Sequence, residues 1–304
     1  MCRNNHLPPN KNKKVTVFTP AYNRGYILYR CYEGLKRQTC GDFEWLIVDD
    51  GSTDNTGEIV EKWMKEDIVG IRYFKRENGG KQRAHNYGVE LCETELFICV
   101  DSDDYLTDNA IKNFVSHWET LKDKDHISGI AAIKGYDEHT PIGGCLFPGN
   151  VQTSTLLDLY RKHKFKGETA LLYRTDILKQ FKFDVADGEK FIGESYVYSQ
   201  IDQKYSMSLL PEILNICEYF PDGYTANIFK IIKENPIGYK LLNKQAVTYS
   251  VAFKEKYINT MKYVIGCKLC GENCFNQTPS KIFTVLTYIP AVFFCWKRYG
   301  KDVQ

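Results

Sequence analysis

Short apolar runs alternate with helix-like stretches through the first half of this chain, and that alternation constrains its fold more than any other feature. Val15-Thr16-Val17-Phe18, Phe43 to Val48, Ile71-Arg72-Tyr73-Phe74, Leu96 to Val100 and Ile127 to Ile133 read as five strands. Between them lie stretches with helical spacing. Ile27, Cys31 and Leu35 recur every four residues, and Ile111, Phe114, Val115, Trp118 and Leu121 follow a 3.6-residue period closely. Continuous apolar strands separated by amphipathic helices argue for a buried, mostly parallel sheet covered on both faces. Gly135 to Asn150, with four glycines and two prolines, breaks the alternation. Beyond it the pattern is mixed: helical over Thr153 to Lys162, strand-like over Ala170 to Tyr173, helical over Ser195 to Tyr205.

A chain of 304 residues can bury a large core without staples. Its 40 basic and 38 acidic side chains nearly cancel, which argues against a nucleic-acid binder on the total alone. Eleven cysteines and a polar N-terminus without a secretory pattern point to a reduced, cytoplasmic compartment. Cys267-x2-Cys270-x3-Cys274 has a metal-like spacing, but no histidine follows His163 to complete a zinc site, so these read as ordinary thiols. The sequon at Asn276 carries no weight without a secretory context.

In open α/β sheets, ligands gather at the carboxyl ends of the strands. Three such ends here are chemically unusual: Thr19-Pro20-Ala21-Tyr22-Asn23-Arg24, Asp49-Asp50, and Asp101-Ser102-Asp103-Asp104. Up to five carboxylates converge on one edge, and like charges in a cleft demand a cation among them. A hard divalent ion shared with substrate phosphates suits that demand. Asp54 and Asp108 read as helix caps. Neither a P-loop nor a G-x-G-x-x-G dinucleotide fingerprint is present, because Gly79-Gly80-Lys81 is followed by Gln82. His85 reads as a polar surface residue.

Taken in order, Val15 to Arg24, Val48 to Asp54, Asn78-Gly79-Gly80 with Asn86, and Asp101 to Asp104 resemble the motifs of family 2 glycosyltransferases over residues 14 to about 220. These are inverting enzymes that use nucleotide-sugars. The resemblance implies a GT-A fold, a Rossmann-like three-layer α/β/α domain over 14–225. A polar arm over 1–13 would precede it and a helical appendage over 226–304 would follow. By the same resemblance, the loop Thr19, Pro20, Tyr22 would hold base and ribose. Asp50, with Asp49, would accept hydrogen bonds from the base. Lys81 would lie near the diphosphate, Asp101 and Ser102 beside the ribose, and Asp103, with Asp101, would ligate Mg²⁺ or Mn²⁺.

Inversion needs a base for the acceptor hydroxyl. The family places it in a Glu-Asp pair, which here is Phe191-Ile192-Gly193-Glu194-Ser195 without the aspartate, so Glu194 is the expected base and Asp187 and Glu189 are reserves. Tyrosines between Tyr196 and Tyr224 are possible sugar-stacking platforms. No Q-x-x-R-W motif occurs, which points away from a processive polymerase. The expected reaction is therefore transfer from a UDP-sugar to a hydroxyl of a glycan or lipid-linked glycan, in bacterial cell-surface polysaccharide synthesis. The alternatives are a non-catalytic nucleotide-sugar- or glycan-binding relative and a nucleotidyltransferase; the latter should carry a Gly-rich basic loop after the first strand.

Residues 230–304 hold 12 Lys/Arg against four Asp/Glu; with +8 there and +2 overall, the rest carries −6. Between Lys281 and Lys297 lie 15 uncharged residues interrupted by Pro290. That run is too short to span a bilayer, and it reads as an interfacial segment over 281–298, at the inner face of the cytoplasmic membrane. The competing reading is a buried C-terminal helix.

Overall fold

The computed structural model describes residues 12–218 and 227–300. Most of the arm over 1–13 and the 225/226 boundary therefore lie outside the described residues. Two compact units are present, one built from 12–182 with 197–218, the other from 183–196 with 227–300.

The first unit is built on a mixed sheet. In chain order its elements are β1 (Val15–Ala21), α1 (Tyr29–Lys36), β2 (Phe43–Asp49), α2 (Thr56–Glu66), β3 (Ile71–Lys75), α3 (Lys81–Leu91), β4 (Leu96–Cys99), β5 (Tyr105–Leu106), α4 (Ala110–Thr120), β6 (Ile127–Gly135), β7 (Thr153–Ser154), α5 (Leu156–Arg161), β8 (Thr169–Arg174), α6 (Thr175–Leu178), α7 (Ser195–Ile201) and β9 (Ser206–Ile216). The strand order is β3-β2-β1-β4-β8-β6-β9-β5, with β7 added to β9. The first four strands are parallel, as the alternation predicts. From β8 onward the expectation of a mostly parallel sheet fails: β8 runs antiparallel to both β4 and β6. The apolar run of β8 arrives from a loop-rich segment rather than from a right-handed helical crossover, so nothing forces it parallel.

Side chains alternate across the strands, and the two faces are filled differently. On one face Val15 and Val17 join the core beneath α1, α2 and α4. There Tyr32 of α1, Trp63 of α2 and Trp45 of β2 stack, with Tyr32 and Trp63 centroids 4.4 Å apart. On the other face Phe18 packs on Phe97 and on His85 of α3. Helix α3 comes so close that a Cβ at Gly88 would fall 2.3 Å from the Phe18 ring. His85 is therefore a buried residue between aromatic rings, not the surface group its polarity suggested.

The second unit contains α8 (Ile228–Glu234), α9 (Pro236–Tyr249), α10 (Phe253–Leu269) and α11 (Lys281–Tyr299). Val247, Tyr263, Val264, Cys267, Cys274, Ala291 and Cys295 form its core. Burial pushes these thiols up, and the half-buried Cys270 to about 11, so each is neutral at physiological pH. Among the described residues no helix is long and apolar enough to cross a membrane.

Candidate active site

The order β3-β2-β1-β4 reverses between β1 and β4, because the chain adds β2 and β3 on one side of β1 and then returns to its other side. Such a switch point opens a crevice at the carboxyl ends of the two strands. All three polar strand ends of the sequence meet there. Asp50 donates its backbone N–H to Ala21 (2.8 Å), and Val100 donates to Phe18 (2.9 Å), so the ends of β1, β2 and β4 are tied side by side.

The loop after β1 is laced to the loop after β2. Asn23, in the left-handed region at φ 52°, accepts at Oδ1 from the Thr53 N–H (2.8 Å) and donates its own N–H to Ser52 Oγ (2.8 Å). The Arg24 N–H reaches Thr56 Oγ1, and the Gly25 N–H reaches Asp54 Oδ2. Asp54 also accepts from the Thr56 N–H at the first residue of α2, but the N-cap position is Asn55 and no side-chain cap closes this helix, so the expected cap is not formed. Asp108 instead accepts from Arg37 Nε (2.9 Å), and no side-chain cap closes α4.

Asp49 and Asp50 have different employments. Asp49 is fully buried and accepts from the Ser52 N–H (2.7 Å) and the Tyr73 hydroxyl (2.5 Å), so one oxygen holds the turn after β2 and the other ties it to β3. Asp50 reaches across to the next loop, accepting from the Gly79 N–H (3.0 Å) and the Gly80 N–H (2.6 Å). Gly80, at φ 94°, turns the chain into α3, and Lys81 is the first residue of that helix. The carboxylate of Asp50 thus shapes the glycine turn that presents Lys81.

Lys81 Nζ lies 2.6 Å from Asp101 Oδ1. Burial alone would raise the Asp101 carboxyl; Lys81 first, then Lys134 and Arg24, hold it below the usual carboxylate range. Asp104 is buried and ion-paired with Lys134 Nζ (3.1 Å), and Cys217 Sγ donates to the same Oδ2 (2.9 Å). Cys31 Sγ donates to the Asp104 carbonyl (2.9 Å), which pins the turn from below. Lys134 is held protonated well above an ordinary lysine despite its burial, by Asp104 and Asp101.

Asp103 differs. Burial first, then Asp101 and Asp104, push its carboxyl up, and Arg24 pulls it back only in part. Among the described residues it enters no ion pair. A half-buried carboxylate with its neighbours' cations already committed is one a hard cation would relieve. Among the described residues no three His, Cys, Asp or Glu side chains converge to cage a metal alone, so an ion at Asp103 would need further oxygens from a bound substrate.

Of the residues expected in the first loop, Thr19 and Pro20 are the last residues but one of β1 and are buried, with Thr19 Oγ1 accepting from Trp45 Nε1 (3.0 Å). Tyr22 stands exposed at the rim. Ser102 is buried in the turn between Asp101 and Asp103. Glu194 is exposed just ahead of α7, in the second unit. The reserve candidate Glu189 is withdrawn: it is buried and accepts from the N–H groups of Ile237 (2.6 Å) and Gly238 (2.7 Å) at the start of α9. Asp187 is exposed. Of the tyrosines, Tyr198 stacks on Tyr173 at 5.2 Å, while Tyr219 and Tyr224 lie outside the described residues. Sequence reasoning missed Asn23, Arg24, Cys31, Lys134 and Cys217. Asn23 and Arg24 stand inside the first motif, Val15 to Arg24, but received no role; Lys134 lies 30 residues beyond Asp104.

The model of glycosyl transferase family 2 matches residues 16–181. The uncharacterized glycosyltransferase EpsJ of Bacillus subtilis is 37% identical over 223 residues, 71% of this chain and 64% of that protein. The poly(ribitol-phosphate) beta-N-acetylglucosaminyltransferase TarP of Staphylococcus aureus is 26% identical over 65% of this chain and 58% of its own length. Glycosyltransferase GlyG of Streptococcus pneumoniae is 37% identical over 41% of this chain and 40% of its own length. The chain therefore spans between two fifths and two thirds of these relatives. Among solved structures, S. aureus TarS 1–349 in complex with UDP-GlcNAc superposes with a TM-score of 0.60 at 17% identity, covering 95% of this chain and 82% of TarS. The mannosyltransferase PcManGT of Pyrobaculum calidifontis, solved with GDP-Man and Mn²⁺, gives 0.54 at 16%, covering 97% and 84%. With a GT-A glycosyltransferase fold and the family's motifs meeting at one sheet edge, the chain belongs to glycosyl transferase family 2.

Proposed function

We propose that this protein is an inverting, non-processive glycosyltransferase that moves a sugar from a nucleotide-sugar, in our reading a UDP-sugar, to a hydroxyl of a glycan or lipid-linked glycan. The observation that carries the reading is the division of labour in the turn after β4: Asp101 and Asp104 are ion-paired with Lys81 and Lys134, whereas among the described residues Asp103 enters no ion pair and Arg24 offsets its crowding only in part. Tyr22 and Asp50 would receive the nucleoside end of the donor, with Asp49, Thr19 and Pro20 supporting them from behind. Asp101 and Ser102 would take the ribose, and Lys81 would exchange its contact with Asp101 for one with the diphosphate. Asp103, with Asp101 beside it, would hold Mg²⁺ or Mn²⁺. When bound, that ion would neutralise the charge developing on the departing nucleotide.

Glu194 is the proposed base that takes the acceptor's proton, and Asp187 is its reserve. Holding donor and acceptor in line supplies much of the rate in such a transfer. The catalytic domain would run over 14–225, with 226–304 as a helical appendage. UDP-GlcNAc in the TarS structure and the poly(ribitol-phosphate) in the name of TarP support a UDP-hexosamine donor and, in our reading, a bacterial cell-surface polymer as acceptor. We place the reaction in the cytoplasm, where nucleotide-sugars are made, with a lipid-linked acceptor drawing it to the membrane's inner face. The test is nucleotide release from a panel of nucleotide-sugars with Mn²⁺ and a lipid-linked acceptor extract. Glu194→Ala should bind donor normally and lose transfer at least a hundredfold. Transfer retained in that variant, and lost in Asp187→Ala, would move the base to Asp187.

A further inference from the structure

Helix α11 is built inside out for a protein surrounded by water. Its buried line is Thr284, Thr287, Ala291 and Cys295, all small. The two threonine hydroxyls donate back to their own helix, to the Ser280 carbonyl (3.0 Å) and the Phe283 carbonyl (2.7 Å), so that face needs no water. The opposite line is Ile282, Val285, Leu286, Ile289, Phe293 and Trp296, with exposures from 49% to 79%. At about 100° per residue these six fall within roughly 60° of one direction. A helix of a water-soluble surface puts its large apolar residues inward, and contiguous exposed apolar patches mark an interaction site. At the flank of the helix Phe253, 68% exposed, packs its ring on Phe283 at 5.0 Å.

The surroundings of the patch are basic. Helix α11 contains no Asp or Glu, and exposed Lys281, Lys297 and Arg298 bracket it. Lys256 lies over the Phe283 ring. We propose that this face is a docking surface for an anionic lipid bilayer, with α11 lying in the plane of the interface and not crossing it. The 15 uncharged residues between Lys281 and Lys297 span about 22 Å at 1.5 Å each, short of a hydrocarbon core of about 30 Å, and the small-residue face is committed to the helical core. In-plane seating puts the aliphatic stripe and Trp296 at the acyl boundary and both basic ends among the headgroups.

Charge decides between a bilayer and a second copy of this chain. A two-fold interface would set this face against itself, bringing Lys281 and Lys297 of one copy against the same groups of the other, while Arg298 lies over the Phe229 ring on the opposite side of the helix. An anionic leaflet offers the opposite sign. The inference goes beyond the transferase reading, and the two can fail separately.

The test is flotation of the full chain with vesicles of phosphatidylcholine alone or with 30% phosphatidylglycerol, at about 0.1 M and 0.5 M salt. The wild type should float with the anionic vesicles at low salt, at least tenfold more than with neutral vesicles or at high salt. Ile289→Asp with Phe293→Asp, on the exposed face, should lose at least tenfold while keeping the circular dichroism and the nucleotide-dependent thermal shift of the wild type. Lys281→Gln with Lys297→Gln should lose binding to anionic vesicles only. Equal flotation of wild type and the Asp variant would overturn the proposal. So would dimerisation without lipid that the Asp variant abolishes, which would make a second copy the occupant.

Discussion

Lys134 is the side chain that most changes how the acidic edge works. It is half-buried, it lies 3.1 Å from Asp104, and it also favours the ionised form of Asp101. Removing its charge leaves Asp104 buried and unpaired, so Lys134→Met should distort the Asp101–Asp104 turn and weaken the donor's thermal shift in Mn²⁺ at least tenfold in affinity. Lys134→Arg should restore part of it, which a purely space-filling role would not require. Asp103 must be ionised to hold a cation, and its carboxyl is pushed up. Protons should therefore compete with Mn²⁺ at Asp103, so the Mn²⁺ needed for half-maximal nucleotide release should rise as pH falls, and in Asp103→Asn the residual activity should lose that dependence. A pH–rate profile across Mn²⁺ concentrations reads both. Away from the site, Glu44 and Arg72 form a buried pair at 2.9 Å, each almost inaccessible. Arg72→Ala leaves Glu44 stranded and should cost about 3–5 kcal/mol in urea unfolding, whereas Arg72→Met with Glu44→Leu should be near neutral.

Helix α5 carries a pH dependence of its own. Asp202 accepts from the Leu156 and Leu157 N–H groups at the start of α5, and burial raises its carboxyl to about 6 despite those bonds. An unfolded aspartate titrates near 3.9, so between about pH 4 and 6 the folded chain binds the extra proton. The stabilisation is full below about pH 4 and is lost as pH rises through about 6. Asp202→Asn should flatten that part of the stability–pH curve, measured by urea unfolding. The elements were legible where period and length agree: β1 to β4 and α1 to α4 follow from apolar runs and 3.6-residue spacing. β9 was not, because Ser206 to Ile216 contains Pro211 and Glu212 at exposed positions and pairs with β6, about 80 residues earlier. The same distance hid the site's second layer. Asp50, Asp101 and Asp103 could be picked from strand ends, but Lys134, Cys217 and the capping of α9 by Glu189 depend on contacts between 30 and 113 residues apart. No local pattern encodes those.

A net charge of +2 conceals two opposite halves: +8 in 230–304 and −6 in the rest. The acidic part carries an edge where Asp49, Asp50, Asp101 and Asp104 lie within 4.0 Å of a protein cation and, among the described residues, Asp103 enters no ion pair; the basic part carries an outward apolar helix. On this account the first charge imbalance is answered by a metal and donor, the second by a membrane. Raising salt from about 0.1 M to 0.5 M should release the chain from anionic vesicles while changing donor affinity far less, because surface charge is screened more than a half-buried site. The claim on which the rest depends is that Asp103 makes nucleotide-sugar turnover metal-dependent. Nucleotide release from UDP-GlcNAc and other nucleotide-sugars, followed in Mn²⁺ and in EDTA for the wild type and Asp103→Ala, measures it directly. The wild type should release nucleotide with Mn²⁺, and release should fall at least a hundredfold both in EDTA and in Asp103→Ala. Equal release with and without the metal, or an Asp103→Ala variant as active as the wild type, would contradict it.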